Sequence, residues 1–264
     1  MTLFVFIAIS IYKTYEDIYQ VFSFAIPCIL MFLPIQCMGL AYFTDIIMFL
    51  IGMCVVCICS DTTEDKKIAK IFYIIGSLAF YLNYFSYPFI SIGMPLTYQI
   101  ARSIYKGKSC RQCLRTIICV TFSWCLGFGL TMLMKQGLAF LMLGSENGIS
   151  QALFRMGSEL SLIDRFGVIF GSLCYWIKAP YIICALCIFI YGLIMIRKNR
   201  RTKYQIINQL RASVPHIILF AFSFVWILVV AQHSIHFFAT NVFIIAIYNL
   251  LLIWCRVCFG IGTE

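Results

Sequence analysis

Long apolar runs alternate with short polar ones along this chain, and the runs have the length of membrane helices. A spanning helix needs about 20 mostly apolar residues. Residues 21–41 carry no charge, and 43–60 carry only Asp45, at one end. A long uncharged run covers 71–99. Residues 116–143 hold only Lys135, 166–196 only Lys178, and 238–259 only Arg256, while 212–236 have no Asp, Glu, Lys or Arg. The pattern predicts an all-α polytopic membrane protein, a bundle of seven transmembrane helices. The short turn near Gly39–Asp45 leaves a second reading open, in which 21–60 is one re-entrant element. Residues 1–12 are apolar but too short to span. No charged segment precedes them and no cleavage site follows, so they do not read as a signal peptide. Residues 1–20 are therefore expected to be a short N-terminal segment, such as the tail of a truncated first helix. The bundle domain is expected over 21–260, with 261–264 as a tail.

The polar connections set the orientation. Residues 100–115 hold Arg102, Lys106, Lys108, Arg111 and Arg115 and no acid. Residues 197–211 hold Arg197, Lys198, Arg200, Arg201, Lys203 and Arg211 and no acid. Together they take more than half of the chain's 20 Lys and Arg. Two spans separate them, so they share a side, and the positive-inside rule makes that side the cytoplasm. Residues 61–70 balance three acids with three lysines, and 144–165 set three acids against two arginines. These two connections are expected outside. The N-terminus is then outside and the C-terminus inside.

Composition agrees with a bilayer environment. Hydrophobic residues make up 62% of the chain and charged residues 11%, with a mean hydropathy of +0.96; soluble domains hold about 25% charged residues. The net charge of +10 is explained by the inner loops and not by nucleic-acid binding. Most of the 14 cysteines stand inside apolar runs, where Cys acts as a small hydrophobe and not as part of a disulfide framework. No G-x-S-x-G, H-E-x-x-H or Gly-rich phosphate loop is present, so neither an enzyme nor a cofactor is expected. The C-x-x-C pairs at Cys54/Cys57, Cys110/Cys113 and Cys255/Cys258 have no accompanying His, and no metal is expected there.

The motifs inside the runs carry a resemblance. Pro95-Leu96-Thr97-Tyr98 matches the Pro-Leu-x-Tyr that follows the third helix of rhodopsin-like receptors, and Tyr87-Pro88-Phe89 then falls where those receptors have Asp-Arg-Tyr. The "FAFSFVW" around Trp226 and the "YNLLLIW" around Asn249 are similar to motifs of the sixth and seventh helices, each without the usual proline. The stretches "YFSYPFISIGMPLTY" and "YIICALCIFIYGLIMIRKNRRTK" resemble the nematode serpentine chemoreceptors, a divergent family of seven-span G-protein-coupled receptors. That resemblance implies an odorant or pheromone receptor in the plasma membrane of sensory cilia. It would bind a small molecule in an outer cavity and signal to a heterotrimeric G protein, with an anionic inner leaflet around its basic loops. It also implies coupling through Tyr98, Arg102, Lys106, Arg197, Lys198, Arg200 and Arg201.

Polar groups within the runs are candidate ligand contacts, because charges and amides are costly in lipid unless paired or hydrated. Two readings stand for Lys178: it meets an anionic ligand group, or its ammonium reaches back to the outer headgroups. Asn83 and its neighbour Tyr84 either touch ligand or join helices by hydrogen bonds. Tyr175 stands beside Lys178 in sequence, and Trp226 either reports ligand arrival or packs in the core. Gln232 and His233, with His236, form either a pocket rim or a polar interfacial cap. A small multi-span transporter or channel subunit is the alternative. It would need a polar path through the bundle, for which Asn83, Lys178 and a few hydroxyls are available.

Overall fold

The computed structural model describes residues 51–56, 65–83, 88–143, 161–176, 179–229 and 242–259. They are all-helical, with no strand among them. Beyond the short helical stretch at 51–56, the elements are α1 (Asp65–Asn83), α2 (Pro88–Tyr105), α3 (Cys110–Leu143), α4 (Leu162–Trp176), α5 (Ala179–Lys198), α6 (Lys203–Ala212), α7 (Val214–Val229) and α8 (Val242–Phe259). Among the described residues α3 alone, over Cys110–Met142, is long and apolar enough to cross a membrane. The apolar stretches of α7 and α8, Val214–Val225 and Ile245–Cys258, are shorter. The chain forms two compact units, Met1–Leu138 and Ala139–Glu264.

In the first unit α2 opens on Pro88, whose missing N–H costs nothing at a helix start. It closes where Gly107 takes φ +78° and the Lys108 N–H reaches back to Ser103 O at 3.0 Å. That six-to-one bond is the usual use of a glycine past a helix end. Ser109 then starts α3 through reciprocal bonds with Gln112: the Ser109 N–H donates to Gln112 Oε1 at 2.9 Å, and the Gln112 N–H donates to Ser109 Oγ at 3.3 Å.

Three contacts fix the helix directions. At the start of α1, Asp65 pairs with Lys108 at 3.7 Å and accepts from Thr116 Oγ1 at 3.2 Å. Toward the other end, Lys135 Nζ donates to Tyr81 O at 3.2 Å and lies over the Tyr81 ring. Helices α1 and α3 therefore run parallel, and α2 returns between their ends. Gly76 sits on the Trp124 carbonyl and Gly127 on the Tyr73 carbonyl, so close that a Cβ at either would overlap the oxygen. Such backbone-to-backbone packing over small residues is how membrane helices approach one another. The core of the unit is α2, buried from Phe89 to Ile104. Trp124 Nε1 donates to Ser91 Oγ at 3.1 Å, and Phe128 is stacked on Trp124. Because α2 shows almost none of its side-chain surface, Thr97, Gln99, Arg102 and Ser103 are held inside the unit with it.

These contacts correct three expectations. The 71–99 run is not one helix: α1 ends at Asn83 and Pro88 begins α2. The start of α1 and the 100–115 connection, expected on opposite sides, meet instead, since Asp65 touches Lys108 and Thr116. Pro95-Leu96-Thr97-Tyr98 is not a helix exit either. It lies inside α2, with Pro88 at the end of the helix remote from Lys108. The arginine of the last turn of this helix is Arg102.

In the second unit the 166–196 run is divided into α4 and α5, with Pro180 in the first turn of α5, where proline is compatible with a helix. Arg165 Nη1 donates to Leu228 O at 2.6 Å and ties α4 to α7. Gly192 leaves room for the Trp254 ring against α5. The indole stacks on Phe189 at 5.0 Å and donates to Ile188 O at 3.2 Å. The Thr202–Gln205 pair caps α6 on both sides of its first turn.

Candidate functional site

The densest group of buried polar side chains in the second unit lies where α6 gives way to α7. Pro215 is the second residue of α7 and has no N–H, so Arg211 O loses the donor a continuous helix would supply. The backbone tightens in response: the His216 N–H goes to Ser213 O at 2.9 Å, a three-residue span, and not to Ala212 O. Ala212 O is thereby released. The guanidinium of Arg256, from the last turn of α8, takes it: Nη1 donates to Ala212 O at 2.9 Å. Nε of the same group donates to Gln209 Oε1, also at 2.9 Å. Ser213 Oγ donates to Gln209 O at 2.8 Å. Arg256 is 3% exposed and Gln209 1%. A charge taken this far out of water stays there only where its donors are met.

One turn further along, His216 Nδ1 and Asn249 Oδ1 are 2.9 Å apart. Asn249 Nδ2 donates to Ile245 O at 2.8 Å, so its oxygen must face the ring and Nδ1 is the donor. His216 Nε2 is left as an acceptor, buried, with no donor among the described residues. Asn199 Nδ2 donates to Cys258 O at 3.2 Å and holds the α5–α6 turn against the end of α8. The broken helix and the helix that grips it thus form one buried polar junction, with no group of metal ligands among the described residues. Moving α6 off α8 would break the two Arg256 bonds to Gln209 and Ala212.

Sequence reasoning noted Arg256 and Asn249 singly and missed Gln209 and His216. The available signal was a neutral polar side chain on each side of the boundary between the 197–211 connection and the 212–236 run, Gln209 and His216. The expected ligand contacts all fall where the structure describes no side chain. Tyr84, Lys178, Gln232 and His233 lie outside the described residues, as do the side chains of Asn83, Tyr175 and Trp226. Of the expected coupling residues, Tyr98 and Arg102 are buried in α2, while Lys106, Arg197, Lys198 and Arg200 are exposed and Arg201 is half-buried. No family model, curated protein or solved structure matches the chain.

Proposed function

We propose that this protein is a seven-span chemosensory receptor of the serpentine type, which binds a small odorant or pheromone and signals to a heterotrimeric G protein at the plasma membrane of a sensory cell and its cilia. The spans of this reading are the 43–60 run, with 21–41 as an outer segment ahead of it, α1, α2, α3, the α4–α5 pair, α7 and α8. With α1 and α2 counted separately, 61–70, 100–115 and 197–211 all become inner connections. Every strongly basic stretch then obeys the positive-inside rule, with the N-terminus outside and the C-terminus inside.

The observation that carries the proposal is the break at Ser213–Pro215 held by Arg256, which we read as a hinge. A proline-broken helix gripped by a buried arginine of its neighbour would gain a second arrangement on release of the grip, and a ligand shifts such an equilibrium by binding one of them better. In the arrangement seen, Arg256 holds α6 against α8. Release of that grip would free α6 and the basic turn before it to meet an acidic partner. Arg102, in the last turn of α2, is the arginine nearest the inner end of the third span in this count, though it is buried.

The test is a reporter of G-protein dissociation in cells expressing the full chain, challenged with a panel of volatile and water-soluble metabolites. Arg256→Gln should raise the ligand-free signal at equal surface expression. If neither ligand nor Arg256→Gln moves the reporter, or if a protease cuts the 197–211 segment from outside in oriented vesicles, the receptor reading fails.

A further inference from the structure

The membrane-capable helix has a face that matches the two ends of one lipid molecule. Arg111, Arg115, Ile118, Phe122 and Leu126 recur at three- and four-residue intervals along α3, so they share one side of it. All five are exposed, Ile118 at 69% and Phe122 at 63%. The two arginines stand where α3 begins, beside the rim that α1 and α2 complete. Asp65 brings the first turn of α1 against Lys108 and Thr116, and with it Lys66, Lys67 and Lys70, all exposed. Against these bases stands Asp65, with Asp61 and Glu64 just ahead of it in sequence, so the rim stays positive. From Ile118 to Leu126 the apolar part of the face rises about 12 Å, close to the ~15 Å of hydrocarbon in one leaflet.

We infer that this face of α3 is a binding site for an anionic phospholipid. Its phosphate and headgroup lie at Arg111 and Arg115, and its acyl chains run along Ile118, Phe122 and Leu126. An acidic protein segment would satisfy the arginines but leave the apolar stripe uncovered, whereas a phospholipid covers both. The inference rests on the membrane reading of the chain, and it is independent of ligand and G protein.

Native mass spectrometry of the full chain in mild detergent, with equal amounts of phosphatidylserine and phosphatidylcholine, tests it. The chain should retain phosphatidylserine preferentially. Arg111→Gln/Arg115→Gln should lower that preference by about 30-fold, at the strength expected for two basic residues at a lipid surface. Arg111→Lys/Arg115→Lys should keep most of it, and Lys203→Gln/Arg211→Gln, in the other unit, should keep all of it. Phe122→Gln should weaken retention of both lipids. No headgroup preference in the unaltered chain, or an unchanged preference in the double glutamine variant, overturns the inference. So does displacement of the lipid by an equal concentration of glycerophosphoserine or of an acidic peptide, which would make the surface a site for polar anions or proteins. Failure of the membrane reading is separately visible, as a chain that alkaline carbonate releases from the membrane pellet.

Discussion

The turn between α2 and α3 and the turn between α5 and α6 are built to one plan from different residues. Each has four residues, Lys106-Gly107-Lys108-Ser109 in one and Asn199-Arg200-Arg201-Thr202 in the other. In each the second residue has positive φ, +78° at Gly107 and +49° at Arg200. In each the third residue sends its N–H back five residues to a helical carbonyl, Lys108 to Ser103 and Arg201 to Ile196. In each a hydroxyl residue then caps the next helix with a glutamine three positions on, Ser109 with Gln112 and Thr202 with Gln205. What differs is the anchoring. Lys108 of the first turn is held by the half-exposed carboxylate of Asp65. The second turn is followed by a helix gripped by buried Arg256, and Asn199 ties it to Cys258 O. The same local chemistry therefore makes a rim in one place and the approach to a hinge in the other.

The sharpest way to break the comparison is to remove the buried anchor. Arg256→Gln strips Gln209 Oε1 and Ala212 O of charged donors in a site without water access. Removing one partner of a buried charged group costs about 3–5 kcal/mol. The variant should melt well below the parent in detergent, at the lower end of that range because the glutamine amide recovers one bond. An unchanged midpoint would mean that Arg256 does not hold α6.

The two positive-φ positions come next, and they should respond with opposite signs. Gly107→Ala places a Cβ in a left-handed conformation and should cost about 1–2 kcal/mol. Arg200→Gly relieves the same strain where it already exists and should stabilise the chain by about 0.5 kcal/mol after the added freedom of glycine in the unfolded chain. Equal signs in the two thermal midpoints would show that the turns are not equivalent. The caps should respond alike: Ser109→Ala and Thr202→Ala each remove an acceptor for a first-turn N–H and should each cost about 1 kcal/mol.

That pairing bears on how much of the structure was legible in the sequence. The basic character of both turns was plain from "RSIYKGKSCR" and "RKNRRTK". Their shared geometry was hidden because one uses glycine and the other arginine at the position that must turn left-handed. The Ser109–Gln112 spacing also marks the start of α3 six residues before the apolar run that predicted it. In 71–99 the absence of any charge concealed a helix boundary that Pro88 signals on its own. The buried rows of α2 were unreadable for the opposite reason: a helix covered on all sides needs no apolar stripe, so Gln99 and Arg102 looked like surface. Gln209 and His216 escaped because they are neutral, and attention to charge alone passes over them. All-helical architecture followed directly from run length, whereas the pairing of helices depends on glycine contacts such as Gly76 on Trp124, which no periodicity announces.

The smallest effect is expected at the anchor of the first turn. Asp65→Asn removes the charge that faces Lys108 but keeps an oxygen for Thr116 Oγ1. The pair is 3.7 Å apart, with Asp65 40% exposed and Lys108 21%, and exposed ion pairs of this kind contribute about 0–1 kcal/mol. Loss of stability should therefore stay under about 0.5 kcal/mol and fade further in high salt, which screens the pair. The lipid measurement should move the other way. Taking one acid from a rim of lysines and arginines should strengthen retention of phosphatidylserine, by up to about fivefold at the strength of one surface charge. A variant that unfolds like Arg256→Gln would instead put the two anchors on the same footing. The contrast between an exposed rim and a buried hinge would then be wrong.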